Sequence, residues 1–390
     1  MNRNLAFIRL YYLFWLGAGG FIYPFISLFY KQQGLSGTQM GLLGTVGSII
    51  GLISAPLIGR LSDNVPNPRR VLQVCLMSSA ILFLILSQQH VFLWIAIIIA
   101  LEAVIGAPIF PLSDAQALSV ADNQKDGYGS IRLWGSLGWA ITAFVGGWVV
   151  ERTGLVSVFV GYAICFGLCA LMLGALTTPP NLARKDEEPQ LPLKDVLKGL
   201  VRDRALIGLA VTFAIFWLTS NGRQQFEALY MQQLGASERM IGFAYTYPAL
   251  IEIPVMLWAD RLMRKHGAGK LLTAALFIEG LVMAIIVFAP SLNSILFMRL
   301  ASSVYYSFYA VSSIAYASER APVGQSATVL SLYFVTLGST ISLVASPISG
   351  LIFDHLGAHP LYVIAMIGAF GAWLTLIFTQ SQPVEKTANV

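Results

Sequence analysis

Long apolar stretches separated by short polar segments dominate the chain. Each stretch is about 20 residues or longer, the length of a helix that crosses the hydrocarbon core of a bilayer. The stretches lie near residues 7–30, 39–61, 70–89, 91–118, 128–150, 155–177, 205–230, 238–260, 269–289, 291–317, 325–353 and 359–379. The sequence lacks the alternating segments of roughly 10 residues that are typical of an outer-membrane barrel. The pattern therefore predicts an all-α integral membrane protein with twelve transmembrane helices.

The composition agrees with that of a membrane protein, and one long polar segment divides the chain into two parts. Hydrophobic residues make up 56% of the 390 residues and charged residues 11%, whereas soluble domains have about 25% charged residues. The long polar segment contains Pro179, Pro180, Pro189 and Pro192. We therefore predict a first bundle over residues 1–177, a cytoplasmic linker over 178–204 and a second bundle over 205–390.

The two halves repeat each other. Asp63 ends the second stretch and Asp260 ends the eighth, 197 residues later. The segment Gly147–Gly154 resembles Gly350–Gly357, at an offset of 203 residues. A duplicated six-helix unit of this kind is the parallel-repeat plan of many secondary transporters. The sequence therefore predicts two pseudo-symmetric six-helix bundles with a substrate site between them.

Lysine and arginine are distributed unevenly between the two sides of the predicted bundle. If both termini are cytoplasmic, the cytoplasmic segments hold 18 of the 24 Lys and Arg residues. The positive-inside rule therefore places both termini in the cytoplasm of an inner or plasma membrane. These scattered loop charges face anionic lipid and account for the pI of about 9.1. We expect no nucleic-acid partner, and we expect a monomer.

Eight charged residues interrupt the apolar stretches. A charge at the centre of a bilayer costs at least ~3 kcal/mol on insertion scales, so such residues usually serve a pathway or pair with each other. They are Glu102, Asp114, Arg132, Arg223, Glu227, Glu252, Glu279 and Arg299. The sequence shows no metal-ligand spacing, no nucleophile–base constellation and no nucleotide-binding glycine loop. We therefore predict a transport pathway for a small-molecule substrate, with no cofactor and no enzymatic activity.

The loop after the second stretch carries a family motif. Residues 59–70 read GRLSDNVPNPRR and resemble the cytoplasmic loop signature of the major facilitator superfamily. A weaker copy around Asp260 follows the eighth stretch. The resemblance implies a cytoplasmic gate formed by Asp63, Arg69, Arg70 and Asp260. An ordinary positive-inside loop is the alternative interpretation.

A second resemblance covers the fourth and fifth stretches. Residues 127–140, GYGSIRLWGSLGWA, are similar to span five of the lactose permease and phenylpropionate permease groups, and 106–108 and 111–115 resemble the end of their span four. The resemblance implies that Asp114, Arg132 and Trp139 bind substrate, as a carboxylate–guanidinium pair and a stacking indole. A structural salt bridge with a packing Trp is the alternative.

The remaining charges lie in the second half. Arg223 and Glu227 are four residues apart and can pair on one helix face, either as substrate contacts or as a solvent-exposed helix end. Glu252 and Glu279 have apolar neighbours and are candidate proton carriers. Span ten lacks the His and Glu of the lactose permease, so the proton path is not transferred. Glu102 and Arg299 occupy equivalent positions and are expected to neutralise each other across the two-fold.

Together these observations predict a secondary active transporter that works by alternating access. The expected substrate is a sugar, a nucleoside or an aromatic acid, and proton-coupled symport is the expected energy source. An efflux antiporter for amphiphilic compounds is the main alternative, because it shares the fold. A non-transporting receptor would have little use for so many charges within the spans.

Overall fold

A computed structural model describes residues 3–63, 67–121, 128–176, 204–321 and 326–380. Within these ranges the chain is helical, with turns and short connections but no β-strand. The predicted linker, residues 178–204, lies outside the described residues except for Arg204, which begins a helix. The all-α prediction is therefore confirmed.

Eight helices form the first bundle. They are α1 (Arg3–Ile22), α2 (Ile26–Gln32), α3 (Gly37–Asp63), α4 (Pro68–Leu86), α5 (Phe92–Gly106), α6 (Ile109–Ala121), α7 (Tyr128–Thr153) and α8 (Val156–Gly174). Two of the predicted stretches are broken, at Pro24 between α1 and α2 and beside Pro108 between α5 and α6. Proline has no N–H to donate and clashes with the preceding turn, so it interrupts the helix.

The second bundle contains seven α-helices and one π-helical segment. They are α9 (Arg204–Gln233), α10 (Glu238–His266), α11 (Ala268–Phe288), α12 (Leu292–Arg320), α13 (Ser326–Leu330), the π-helix Ser331–Leu337, α14 (Gly338–Leu356) and α15 (His359–Thr379). Among the described residues, eleven helical stretches are long and apolar enough to cross a membrane. Helix α12 is also 29 residues long, but its serine and tyrosine side chains make it less apolar. It packs with α10 and α11 as the twelfth span.

Close glycine contacts join the two bundles. Helix α3 packs along α14, and α7 packs along α10. A Cβ atom on Gly147 of α7 would lie only 2.7 Å from the Glu238 backbone oxygen of α10. A Cβ on Gly37 of α3 would lie 2.8 Å from the backbone oxygen of Gly350. Small residues therefore let these backbones approach closely, as they do in many membrane helix pairs.

The contacts between the bundles concentrate on one side of the molecule. They involve the first half of α3 with residues 343–354 of α14, and residues 140–147 of α7 with the first third of α10. These contacting segments lie away from the described chain ends, Arg3 and Gln380. We call the packed side the closed side, and the side that carries the chain ends the open side.

A carboxylate from one bundle caps a helix of the other on the closed side. Asp354 of α14 accepts hydrogen bonds from the backbone N–H groups of Gly37 and Thr38, at 2.6 and 2.8 Å, and from the Thr38 hydroxyl at 2.7 Å. The first N–H groups of a helix lack intrahelical partners and favour negative charge. We call this contact the Asp354 cap. Both α3 and the equivalent helix α10 also have a serine cap of their own: the Ser36 hydroxyl accepts from the Gln39 N–H at 3.1 Å, and the Ser237 hydroxyl accepts from the Met240 N–H at 3.3 Å.

Candidate functional site

A cavity of about 490 Å³ lies between the bundles, near the hydrogen bond from the Thr246 hydroxyl of α10 to the Ala140 carbonyl of α7. The first bundle contributes Trp139 and Tyr23 to its wall. The second contributes charged side chains from α9, α10 and α12, namely Arg223, Glu227, Glu252 and Arg299. Volumes of this order accommodate small organic molecules. We call it the first cavity.

Four of the charges form one buried network. Arg223 donates to Glu227 at 3.0 Å and to Glu279 at 3.3 Å. Arg299 reaches the other carboxylate oxygen of Glu227 at 3.1 Å. The Arg223, Glu227 and Glu279 side chains are at most 7% exposed. Glu227 is thus shared by two guanidinium groups, and Arg223 by two carboxylates.

This network excludes one of the two interpretations of the seventh stretch, and substrate contact by Arg223 and Glu227 stays a prediction. The pairing of Arg223 with Glu227, expected from their spacing, is confirmed. The alternative of a solvent-exposed helix end is wrong, because both residues are buried. Both residues can be buried because their opposite charges compensate each other. A buried charge that loses its partner destabilises a protein strongly.

The expected pairing of Glu102 with Arg299 is wrong. Glu102 accepts a hydrogen bond from the Ser79 hydroxyl at 3.2 Å, and Ser79 also bonds the Tyr162 hydroxyl at 2.9 Å. Arg299 pairs with Glu227 instead. Glu102 and Arg299 are equivalent by the repeat, and equivalent positions lie in different bundles rather than face to face.

Aromatic rings connect the two bundles across the cavity. The Tyr23 ring lies 5.7 Å from Trp139 and 6.1 Å from Tyr245 of α10, between ring centroids. The Arg299 guanidinium lies 4.1 Å from the centre of the Tyr245 ring, in a cation–π contact. A chain of contacts therefore runs from Trp139 in one bundle to the charge network in the other. The sequence does not distinguish Tyr245, because an aromatic residue in an apolar helix carries no particular pattern.

The two candidate proton carriers have different environments. Glu252 of α10 is half-buried and lines the first cavity. Glu279 of α11 is 1% exposed and accepts a hydrogen bond from Arg223. Glu252 is thus placed to meet a cavity solute, whereas Glu279 supports the network. Their roles in proton transfer stay a prediction.

Asp114 and Arg132 belong to one aromatic cluster in the first bundle. Asp114 accepts a hydrogen bond from the Tyr12 hydroxyl at 2.6 Å. The Arg132 guanidinium lies 5.8 Å from the centre of the Phe110 ring, one turn before Asp114 on α6. Trp15 contacts both aromatic rings, with centroid distances of 5.1 Å to Tyr12 and 5.2 Å to Phe110. A direct Asp114–Arg132 pair stays a prediction.

The residues of the predicted gate lie on the open side. Arg69 is buried and donates to the Gln116 side chain at 2.9 Å and to the Leu176 carbonyl at 3.0 Å. Arg70 is exposed. Asp260 pairs with Arg264 one turn away at 2.8 Å, with both side chains substantially exposed. The side chain of Asp63 lies outside the described residues. The gate therefore stays a prediction.

Comparisons with known proteins agree with this architecture. The chain is 26% identical to the maltose permease of Geobacillus stearothermophilus, over 99% of this chain and 96% of that protein. It is also 26% identical to the uncharacterized transporter YwbF of Bacillus subtilis (strain 168), over 100% and 97%. A crystal structure of a mutant of the nucleoside transporter NupG has the same fold, with a TM-score of 0.82 at 13% identity, covering 97% of this chain and 100% of that chain.

A family profile settles the assignment. The profile described as the MFS_1 like family matches residues 5–364, from α1 to the start of α15, and these include every residue that lines the first cavity. The two relatives are named as a transporter and a permease, and each alignment covers nearly the whole length of both proteins. The chain therefore belongs to the MFS_1 like family and is a multi-pass membrane transporter of the major facilitator type, not an enzyme.

Proposed function

We propose that the protein takes up a neutral, polyhydroxylated solute, a sugar or a nucleoside, by proton-coupled symport. Both termini lie in the cytoplasm of an inner or plasma membrane, and the protein works as a monomer. In this orientation the open side faces the cytoplasm. The described arrangement is then the inward-facing stage of alternating access, and transport requires the closed side to separate while the open side closes.

One observation carries this proposal. The arginines that line the cavity are already paired with carboxylates, and the Trp139 indole lines the same cavity. Arg223 and Arg299 each already contact a carboxylate. An anionic substrate would have to displace one of these carboxylates, at the cost of a buried unpaired charge. A hydroxyl group both donates and accepts, so a neutral solute can bond either charge without breaking a pair. The paired charges therefore favour a sugar or nucleoside over an aromatic acid, and the name of the maltose permease agrees with a sugar.

The competing proposal is an efflux antiporter for amphiphilic compounds. Its support is the aromatic part of the first-cavity wall, which includes Phe216, Trp217, Tyr305, Tyr306 and Tyr309. Such a surface also suits apolar rings. Thermal unfolding of the purified protein separates the two proposals. Stabilisation by a sugar or nucleoside supports uptake of a neutral solute, whereas stabilisation only by lipophilic cations or aromatic acids contradicts it.

Trp139 is expected to act as a stacking platform. Trp139→Phe should keep most of the substrate affinity, and Trp139→Ala should lose about tenfold, because the flat apolar face is removed. The ring also packs over Gly19, whose Cβ position would lie 2.7 Å from it. Binding is measured by isothermal titration with the best stabiliser from the unfolding screen.

The control for Trp139 is Trp148, which lies nine residues further along the same helix. Trp148 is 42% exposed and lies under the Arg152 guanidinium at 3.6 Å. Trp148→Ala should leave affinity unchanged. Equal affinity losses for Trp139→Phe and Trp139→Ala would instead assign the indole a hydrogen-bonding or packing role.

Glu252 is the proposed proton carrier because it is the carboxylate that faces the cavity without belonging to the four-residue network. Glu252→Gln fixes this side chain in an uncharged form. The variant should therefore bind and exchange substrate, yet fail to accumulate it, because accumulation requires release of the proton inside. Counterflow and pH-driven uptake in proteoliposomes measure the two activities separately.

The control is Glu319→Gln, at an exposed position near the end of α12. It should perform both reactions normally. If Glu252→Gln accumulates substrate as well as the unaltered protein does, Glu252 has no part in coupling, and Glu279 becomes the next residue to test.

A further inference from the structure

A second cavity of about 440 Å³ adjoins the first. The two cavities share Tyr23, Gln224 and Tyr245, which therefore stand between them. The second cavity extends from these residues toward α3, α5 and α14, whereas the first extends toward α7, α10 and α12. Together they occupy one space between the bundles, divided by a tyrosine pair and one amide side chain.

The chemistry of the second cavity differs from that of the first. Its described lining contains hydroxyl and amide groups and no Asp, Glu, Lys or Arg. The polar groups come from both bundles and include Ser27, Ser48, Asn221, Gln225, Ser342 and Ser346. An ion would find no compensating charge here. A neutral group with several hydroxyls would find both donors and acceptors.

One amide group in this wall lacks a hydrogen-bond partner. The Gln225 side-chain oxygen is buried and accepts no hydrogen bond from the described part of the chain. A buried acceptor without a donor costs free energy, so native structures usually satisfy it. The neighbouring Asn221 oxygen accepts from the Ser346 hydroxyl at 3.2 Å. Gln225 lines the cavity, so a rotation of its amide would present this oxygen to a ligand donor, next to an Asn221 oxygen that already has one.

We propose that the second cavity is a binding subsite for a second ring of the substrate. The first ring stacks near Trp139. The bond that joins the two rings passes Gln224, and the second ring, which is uncharged and bears hydroxyl groups, lies between α3, α9 and α14. This inference rests on the proposed uptake of a neutral polyhydroxylated solute. It adds that the transporter distinguishes two-ring solutes from one-ring solutes, with Gln225 as a specificity-determining residue.

Gly47 of α3 allows the subsite to be filled without disturbing the fold. It lines the second cavity, and a Cβ atom added to it would meet no atom within 4 Å. Gly47→Met therefore places a flexible apolar side chain in the subsite. Gly51, one turn further on the same helix, is the matched control, because an added Cβ would meet only the Ala107 side chain at 4.0 Å.

The test compares one-ring and two-ring probes on purified protein. The pairs are glucose with maltose, and uracil with uridine, so that the sugar and nucleoside sources are distinguished. In the unaltered protein, one two-ring probe should bind at least about tenfold more tightly than its one-ring partner. Gly47→Met should reduce that ratio to about one while leaving one-ring affinity intact. Gly51→Met should keep the ratio.

A second variant keeps the test decisive if Gly47→Met does not fold. Gln225→Leu removes the unpaired oxygen at similar volume and should weaken the two-ring probe about tenfold, with no change for the one-ring probe. Equal ratios in the unaltered protein, Gly47→Met and Gln225→Leu would overturn the subsite and leave the proposed function standing. If neither member of either pair binds, the proposed function itself is wrong, and the subsite falls with it.

Discussion

Arg223→Ala is expected to abolish substrate accumulation and to destabilise the protein strongly. The substitution removes a guanidinium that contacts both Glu227 and Glu279 in a buried site. Breaking a buried ion pair by removing one partner typically costs roughly 3–5 kcal/mol, because the remaining charge is left uncompensated. Uptake driven by an imposed pH gradient in proteoliposomes and the thermal unfolding midpoint in detergent measure the two effects.

A double variant separates stability from function. Arg223→Met combined with Glu279→Gln removes one positive and one negative charge, so it should recover much of the unfolding midpoint. It should remain inactive, because the hydroxyl-binding groups beside the cavity are lost. Arg264→Ala is the control for stability, since its pair with Asp260 is exposed and exposed pairs contribute about 0–1 kcal/mol. Normal transport by Arg223→Ala would show that the network is not part of the pathway.

Asp354→Ala is expected to shift the protein toward the arrangement in which the closed side separates. The substitution removes three hydrogen bonds that join α14 to the first turn of α3. Loss of a helix cap costs about 0.5–2 kcal/mol, and about 1.4 kcal/mol changes a two-state equilibrium tenfold. Spin labels at Lys31 and Leu356, which are exposed in different bundles, should report a larger population of long distances.

Glu151→Ala is the matched control for the Asp354 cap. Glu151 occupies the equivalent position in the first half, at the end of α7, and is exposed. Among the described residues Glu151 makes no hydrogen bond to α10, in contrast to Asp354 with α3, so removal of Glu151 should leave the distances unchanged. Identical distance distributions for Asp354→Ala and the unaltered protein would show that glycine packing alone closes this side.

The sequence predicted the features that depend on local pattern. Apolar length predicted the spans, and the four-residue spacing predicted the Arg223–Glu227 pair. It did not predict that Glu279 and Arg299 join that pair, because those contacts depend on how α9, α11 and α12 pack. The proline breaks in the first and fourth spans were visible as Pro24 and Pro108, yet the apolar runs continued through them.

The errors and omissions have the same physical origin. The Glu102–Arg299 pairing failed because a repeat relates positions by symmetry, whereas a salt bridge needs two side chains that face each other. The Asp354 cap was missed because its partner, the first turn of α3, lies more than 300 residues earlier in the chain. Tyr23 and Tyr245 acquire their importance only from the approach of the two bundles.

Gradient-driven uptake by the purified, unaltered protein tests the central proposal most directly. Proteoliposomes are given an inward proton gradient and labelled maltose or uridine, with parallel samples given a sodium gradient or none. We predict accumulation above the external concentration under the proton gradient only, and collapse of that accumulation by a protonophore. Accumulation that follows sodium, or net expulsion of solute from the protein's cytoplasmic side in exchange for protons, would contradict proton-coupled uptake.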